Sequence, residues 1–525
     1  MRSQQLVITA KTRISHIFGV HSPYFHEVLV AREVIEIATQ VYQAYRCSSV
    51  MARTRINNTF IGTVIINCWS TPLIHALSRK KTTRDVLFER IVCIAVDGLL
   101  SLITSTMIPL VLFMPYYSAF EPALLTFSLD DLYNISWFTS FLTECRLVFP
   151  VTVIDFLSKL TPHVTTLFCM LSIAPLIDRR PRSAIQQFRV GAKQTWPSDS
   201  SSFVLSVQRR SLSRPMQATN FLIVLTGCML FVLHIHAKVS VDHRELPGCS
   251  HKIYPWLPSK FPCMVFTYNC YRRGTSTAQD GDLSGLQVGS LTYLSFSHCD
   301  ALVMPAEIQQ FPALMEITIF NSTLVEWGAH AALSNTTQSN LATLLFVDVN
   351  FTTFPAALLQ PLPPMLSDIE FSHTNLTTLP ANLHEFWMDL GFLYLEHCQL
   401  TEFPETVTKM TMYDLSLLGN HISNMSLFAD ITPTLAYASL NLNPARQLPE
   451  QLTAPHAIMI LGLENMQLDS IPEWLRTDVT SVASVHGNPY CDANRVDETI
   501  VKCVARDIYA QGKLPYESVR LLWPL

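Results

Sequence analysis

The sequence predicts an α+β chain in two parts: an N-terminal α-helical, multi-span membrane region, then a solenoid of short strands built from repeats. Three observations predict it. The 525 residues are 49% apolar and only 15% charged, with a mean hydropathy of +0.25; soluble domains run nearer about 25% charged. The charge divides by position, with 23 Lys and Arg against 13 Asp and Glu in residues 1–238, and 13 against 28 in residues 239–525. Leucine-rich motifs in the acidic half recur every 22–27 residues, the signature of a stacked repeat architecture.

Residues 1–55 read as a cytosolic or interfacial helical segment, and residues 56–177 as the spanning helices. Residues 56–78 are uncharged but hold three Asn and Pro72, which weakens them as a span. Residues 91–117 are long enough to cross, with Asp97 their one costly side chain. Residues 160–177 and 215–237 are apolar runs free of Asp, Glu, Lys and Arg, the second being the last transmembrane helix. Residues 136–157 carry Glu144, Arg146 and Asp155 and suit an interfacial or partly buried helix. Three to five spans result. Lys11 and Arg13 interrupt the only early apolar run, so no signal peptide is expected.

Lys and Arg in short loops set the orientation. Segment 178–214, with eight basic residues, is expected in the cytosol, as is 78–90 with five. Segment 118–135 holds Glu121, Asp130 and Asp131 without a cation and is expected outside. The span at 215–237 then delivers everything after Lys238 to the non-cytosolic side, at the plasma membrane. Asp97 reads as a carboxyl packed against a neighbouring helix rather than an ion relay, because no second ionisable group at matching depth is evident. Asp155 and Lys159, four apart, suit a helical ion pair, and Glu144 with Arg146 an interfacial one.

After an N-terminal cap at 238–290, repeats begin at Leu291, Leu314, Leu341, Leu366, Leu390, Met412, Leu435, Ile458 and a degenerate Thr480. Their spacings are 23, 27, 25, 24, 22, 23, 23 and 22 residues. Each offers a short strand and a connecting segment that cannot bury its apolar face alone, so stacking builds one core and the strands line a concave surface. The consensus Asn, which bonds backbone groups of neighbouring turns, is replaced at Cys299, Ser322, Val349, Thr374, Cys398 and Met466 and kept at Asn420, Asn443 and Asn488. At Cys299 and Cys398 a buried thiol is the ordinary reading. Residues 491–525 form the C-terminal cap and tail.

Five sequons, Asn321, Asn335, Asn350, Asn375 and Asn424, fall within the repeats and suit glycosylation on an external domain. No catalytic spacing is present: no GxSxG elbow, HExxH, Walker loop or kinase set, and no CxxC pair for zinc. No enzyme activity, cofactor or metal is therefore expected. Between Arg273 and Lys409 there is no Lys or Arg against 14 acidic residues. So acidic a surface repels phosphates and excludes nucleic acid as a partner.

The repeats, at about residues 285–505, resemble the leucine-rich-repeat superfamily, on motifs such as Leu366, Ile369, Phe371, Leu376, Leu379, Pro380 and Leu390, Leu393, Leu395, Cys398, Leu400, Phe403, Pro404. The resemblance implies a curved solenoid that binds proteins or other ligands on its concave side. Residues 25–240 resemble the multi-span membrane leucine-rich-repeat proteins of oomycetes, on Tyr42-Gln43-Ala44-Tyr45-Arg46, Asn67-Cys68-Trp69-Ser70-Thr71 and Asp97-Gly98-Leu99. No cytosolic kinase follows the repeats, so receptor-kinase signalling is not implied. Extracellular repeat proteins place a capping disulfide where Cys491 and Cys503 stand. Cys249, Cys263 and Cys270 precede the first repeat and imply a second bridge with one thiol left over.

Alternation along each strand points the residues flanking its inner leucines out of the concave side. They are Asp368, Glu370 and His373, then Phe392, Tyr394, Glu396 and His397, then Asp414 and Tyr437. Rings beside carboxylates suit a basic or amphipathic protein or peptide, and the two histidines make its binding pH-sensitive. The function expected is recognition or adhesion by an external repeat domain on a multi-pass membrane protein, in contact with membrane lipids. The alternative is a channel or transporter subunit with a regulatory repeat domain.

Overall fold

A computed structural model describes residues 25–77, 83–122, 126–177, 214–387, 389–493, 498–505 and 512–524. The basic loop at 178–213, the basic stretch 78–82, Lys11 and Arg13 lie outside the described residues. The chain divides into two compact units.

The first unit holds the described residues up to Ser118, with Leu142–His243 and Tyr254–Leu257. Its helices are α1 (Phe25–Val50), α2 (Thr54–Leu77), α3 (Thr83–Leu102), α4 (Ile108–Ala119), α5 (Ile135–Val148, from Leu142 on), α6 (Val153–Ile177) and α7 (Arg214–Asp242). A π-turn at Ile103–Met107 joins α3 to α4. Among the described residues, three helical stretches are long and apolar enough to cross a membrane: Thr54–Leu77, Phe88–Ala119 and Gln217–Asp242. The first contains the stretch read from sequence as weak. The run 160–177 lies in α6, which is not one of the three but leaves Ile154, Leu157, Leu167 and Met170 exposed.

Ile37 and Ala44 of α1 pack with Ile61, Val64 and Cys68 of α2 and with Ile223 and Leu230 of α7. α7 comes close to α2 at Gly227, where an added Cβ would stand 2.5 Å from Trp69 Nε1. Small residues permit such contacts where lipid supplies no hydrophobic drive between helices.

Several charged side chains in this unit are paired across helices, and two sequence expectations are corrected here. Asp97 is matched at its own depth by Arg32, with which it forms an ion pair. Glu144 pairs with Arg53 Nε at 2.8 Å and accepts from Tyr116 Oη at 2.7 Å. Arg146 instead offers its carbonyl to Arg46 at 3.0 Å. The Glu144 reading took a sequence neighbour for a spatial one and the Asp97 reading found no partner, whereas the partners come from α1 and from the α1–α2 turn. Asp155 does meet Lys159, at 2.9 Å, and also holds Arg46. Pairing of this kind offsets the cost of burying a charge among apolar helices.

The second unit holds Ala119–Phe141, Arg244–Ile253 and Pro258 onward. Among the described residues, thirteen strands form one sheet: β1 (Cys249–Lys252), β2 (Cys263–Asn269), β3 (Tyr293–Ser297), β4 (Leu302–Val303), β5 (Glu316–Glu326), β6 (Thr343–Phe351), β7 (Asp368–Ser372), β8 (Phe392–Glu396), β9 (Asp414–Ser416), β10 (Tyr437–Ser439), β11 (Ile458–Gly462), β12 (Val479–Ser484) and β13 (Val501–Lys502). β1 and β2 are antiparallel. From β2 onward each strand pairs in parallel with the strand of the next repeat, and β4 adds a side pairing to β5. One core runs through all repeats, drawn from the leucine positions of the motif, such as Leu294, Phe296, Ile369, Phe371, Leu393, Leu395, Leu461 and Leu463.

The repeat period is written into the backbone. His298, Asn321, Asp348, His373, His397, Gly419, Leu442, Asn465 and Gly487 all have positive φ, spaced 23, 27, 25, 24, 22, 23, 23 and 22 residues apart. The conformation is uncommon outside glycine. It is held because the N–H there bonds a carbonyl of the next repeat, as in His373 to Glu396 at 3.0 Å and Leu442 to Glu464 at 2.9 Å. Where the consensus Asn survives it works identically. Asn443 Nδ2 donates to Leu417 and Leu440 carbonyls at 2.8 and 3.0 Å, and its Oδ1 accepts from Ile422 N–H at 3.1 Å. Asn420 and Asn488 repeat the pattern.

Among the described residues, three disulfides join Cys249 to Cys263, Cys270 to Cys299 and Cys491 to Cys503. Two expectations are thereby corrected. Cys299 is not a lone buried thiol, and no cysteine of the N-terminal cap is left over. The ladder position of the first repeat lies against the cap, so Cys270 reaches it with 4.9 Å between Cα atoms. Cys398, far from either cap, stays a free buried thiol.

Candidate functional site

Parallel pairing in register turns the outward repeat positions into rows. Glu316, Asp368, Phe392, Asp414 and Tyr437 occupy one row, with Thr343 between the first two. Glu370 and Tyr394 are partners in the next row, and Ser372 and Glu396 in the third. The left-handed residues His298, Asn321, Asp348, His373 and His397 make a fourth along the strand ends. All nine residues taken from the sequence as ligand-binding thus lie on one face, opposite the core side chains Ile369, Phe371, Leu393 and Leu395.

That face is covered. Phe392 is exposed, and Asp368, His373, His397 and Tyr437 are half-buried, but Glu370, Tyr394, Glu396 and Asp414 are buried. Two segments outside the repeats cover them. In the first, Ser128 Oγ caps a one-turn helix at Leu129–Leu132 by accepting from Asp131 N–H. The rings of Phe127, Trp137 and Phe141 brace that turn, 5.0–5.4 Å apart. Tyr133 then donates from Oη to both oxygens of Glu370, at 2.7 and 2.9 Å.

The second covering segment is 512–524. Lys513 Nζ pairs with Asp414 at 3.0 Å, beside the rings of Tyr394 and Tyr437 at 5.9 and 5.5 Å. Its backbone N–H donates to Glu396 at 2.8 Å, and the N–H of Leu514 at 3.3 Å. Tyr516 stacks on His373 at 3.9 Å and donates to Asp348 at 2.9 Å. Trp523 stacks on Phe320 at 4.8 Å, and its carbonyl accepts from His298 at 3.0 Å.

Between the covering segments lies a cavity of about 430 Å³, walled by Glu316, Asp368, Glu370 and Asp414 and by the rings of Phe392, Tyr394, Tyr413 and Tyr437. Burial pushes Glu316 up to about 7. Burial and then the neighbouring carboxylates raise Asp368 and Glu370 well above the usual range. Crowded carboxyls of this kind hold protons near neutrality, so the cavity is less anionic than its composition implies. Burial also lowers His373, with His397 stacked 4.6 Å away adding to the effect. Among the described residues no group of three or more His, Cys, Asp or Glu is arranged to hold a metal ion. What the face offers is carboxylates that accept N–H and O–H donors and rings that pack beside a cation.

Sequence reasoning missed Tyr133, Lys513, Tyr516, Trp523, Asp348 and Glu316. The run Lys513–Trp523 did carry a signal, two cations and two aromatic rings downstream of a cation-free stretch of repeats. Of the five sequons, Asn321, Asn335, Asn350 and Asn424 are exposed. Asn375 is half-buried, its amide bonded to both backbone groups of Phe351.

No protein-family model and no curated protein sequence matches the chain. Among solved structures it is similar to a leucine-rich-repeat protein of Leptospira interrogans, at 23% identity and a TM-score of 0.30, covering 40% of this chain and 56% of that one. It is also similar to a chain in an octameric complex of Latrophilin 3, Unc5D and the leucine-rich repeats of FLRT2, at 14% identity and a TM-score of 0.28, covering 42% of this chain and 80% of that one.

Proposed function

We propose that the chain is a multi-pass plasma-membrane protein whose extracytosolic leucine-rich-repeat solenoid recognises a protein or peptide on its concave face. The observation that carries this reading is the set of acidic and aromatic rows held in register opposite the repeat core. Three disulfides in the acidic unit support an oxidising compartment. The loop after α4 folds with the repeats, Tyr133 on Glu370, so the two share one side of any membrane that α4 crosses. That agrees with the Lys and Arg asymmetry of the loops. Exposed Phe221, Leu222, Leu225, Met229 and Val232 on α7 suit contact with lipid. Residues 25–240 then form the membrane half of a repeat protein of the multi-span kind found in oomycetes.

A channel or transporter subunit with a regulatory repeat domain is the second reading. The buried cluster of Arg32, Glu36 and Asp97 among the helices favours it. Treatment with an amidase that removes N-glycans tests the first: a mass drop traced to Asn321, Asn335, Asn350, Asn375 or Asn424 is expected. An unchanged mass, with a tag at Leu525 protected inside sealed cells, refutes it. Ion currents from the reconstituted chain favour the second reading.

A further inference from the structure

Segment 512–524 makes four kinds of contact with the acidic face, and each uses a group that an external peptide could also present. A buried ammonium, Lys513, meets Asp414 between two tyrosine rings. Two successive backbone N–H groups, of Lys513 and Leu514, grip one carboxylate, Glu396. Gly512 allows that approach, since an added Cβ would stand 2.9 Å from Glu396 Oε2. Three residues after the lysine, a tyrosine hydroxyl reaches both oxygens of Asp348. Further along, Trp523 covers Phe320.

The segment is also separable from what holds the repeats together. The continuous core includes no residue of 512–524, although Leu514, Val519 and Trp523 are themselves buried. Its contacts run to side chains of the outward rows, to the strand-end row and, at its far end, to Arg272 of the N-terminal cap, which donates to the Pro524 carbonyl at 3.2 Å. They do not fill the core of the last repeat, as a cap would. Lys513 brings a cation to a stretch of repeats, 274–408, that has none of its own.

We infer that segment 512–524 is a built-in ligand of the acidic face, and that the external partner it gives way to is a peptide of the same chemistry: a lysine, free N–H groups on it and on the next residue, and a tyrosine three positions after the lysine. The inference rests on the recognition reading above and adds a partner class and a closed state to it. A tethered segment presents itself at an effective concentration on the order of 1 mM. A free peptide at micromolar concentration therefore loses the face to it in the intact protein.

The test uses the full chain in detergent and a fluorescein-labelled synthetic peptide of residues 512–524. A Lys513→Ala/Tyr516→Ala variant should bind the peptide at least about tenfold tighter than the unaltered chain. A peptide with its own lysine and tyrosine replaced by alanine should bind neither. Hydrogen exchange in β7–β9 checks that the variant is folded. Equal binding to both proteins, or no binding to the folded variant, overturns the inference. If the variant does not fold, a protease site set between Arg506 and Gln511 and cut after folding answers instead. Exchange of the cut segment for labelled peptide supports a ligand, and permanent retention refutes one. Peptide binding in detergent does not depend on which side of the membrane the repeats occupy. Failure here is therefore distinct from failure of the topology, which glycan removal reads.

Discussion

Replacing Asn443 with alanine isolates the device that links one repeat to the next. The buried amide donates to the Leu417 and Leu440 carbonyls and accepts from the Ile422 N–H, at 2.8, 3.0 and 3.1 Å. Alanine removes these three bonds, together with a longer one to the Asn441 carbonyl at 3.3 Å, and leaves the three closer backbone groups inside the core without that partner. At about 1 kcal/mol of net stabilisation each, the loss is about 3 kcal/mol, or roughly 100-fold in the opening equilibrium. Hydrogen exchange by mass spectrometry reads that change in the amides of β9–β11, flanking the site on both sides. Thr374→Ala is the internal control. Thr374 occupies the same repeat position, but its hydroxyl meets the Cys398 sulfur at 3.1 Å, a weak partner, so exchange there should accelerate less than about fivefold. Equal effects at the two positions, or an Asn443 effect below about fivefold, would refute the view that surviving asparagines carry the register of the later repeats.

Three further outcomes follow from the same geometry. Replacing Cys491 or Cys503 with serine opens a bridge between residues 12 apart and should destabilise the end of the repeat domain by about 2–4 kcal/mol, read as faster proteolysis around Leu463 and Leu468. Gly227→Leu should break the packing of α7 on α2, because the new Cβ alone meets Trp69 and Cys68; thermal unfolding in detergent at a lower temperature than the parent checks it, and an unchanged midpoint contradicts it. Glu316, moved from 4.5 to about 7 by burial, with Asp368 and Glu370 raised likewise, holds protons that the unfolded chain has lost, so the stability it contributes is complete below 4.5 and is lost as pH rises through about 7. His373, whose value is lowered, opposes this by losing stability as pH falls. With these three carboxyls and Glu396, also raised by burial, against one imidazole, intrinsic-rate-corrected protection of β7 should be greater at about pH 5.5 than at about pH 8.5, and Glu316→Gln should reduce the difference.

The repeat half was legible because its determinants are periodic. The spacings counted on leucines return, number for number, as the spacings of the left-handed residues from His298 to Gly487. Alternation placed Asp368, Glu370, Tyr394 and Asp414 on one face for the same reason. What covers that face was not legible. Tyr133 reaches Glu370 over a separation of 237 residues and Lys513 reaches Glu396 over 117. Neither segment shares a period with the surface it meets. The Cys270–Cys299 bridge was hidden similarly: Cys299 obeyed the repeat pattern, which concealed its role in the cap. In the helical unit, hydropathy found apolar stretches but not partners. Arg32 and Arg53 lie in or beside a helix too polar to register as a span, and they neutralise Asp97 and Glu144.

The most direct test of an extracytosolic recognition domain is the labelling of one engineered thiol. Asn335 is exposed, in the connection between β5 and β6. Asn335→Cys, in intact cells treated with a membrane-impermeant maleimide and compared with the unaltered chain, should label as strongly before permeabilisation as after it. Labelling that appears only once the cells are permeabilised would put the repeats in the cytosol and contradict the proposed function.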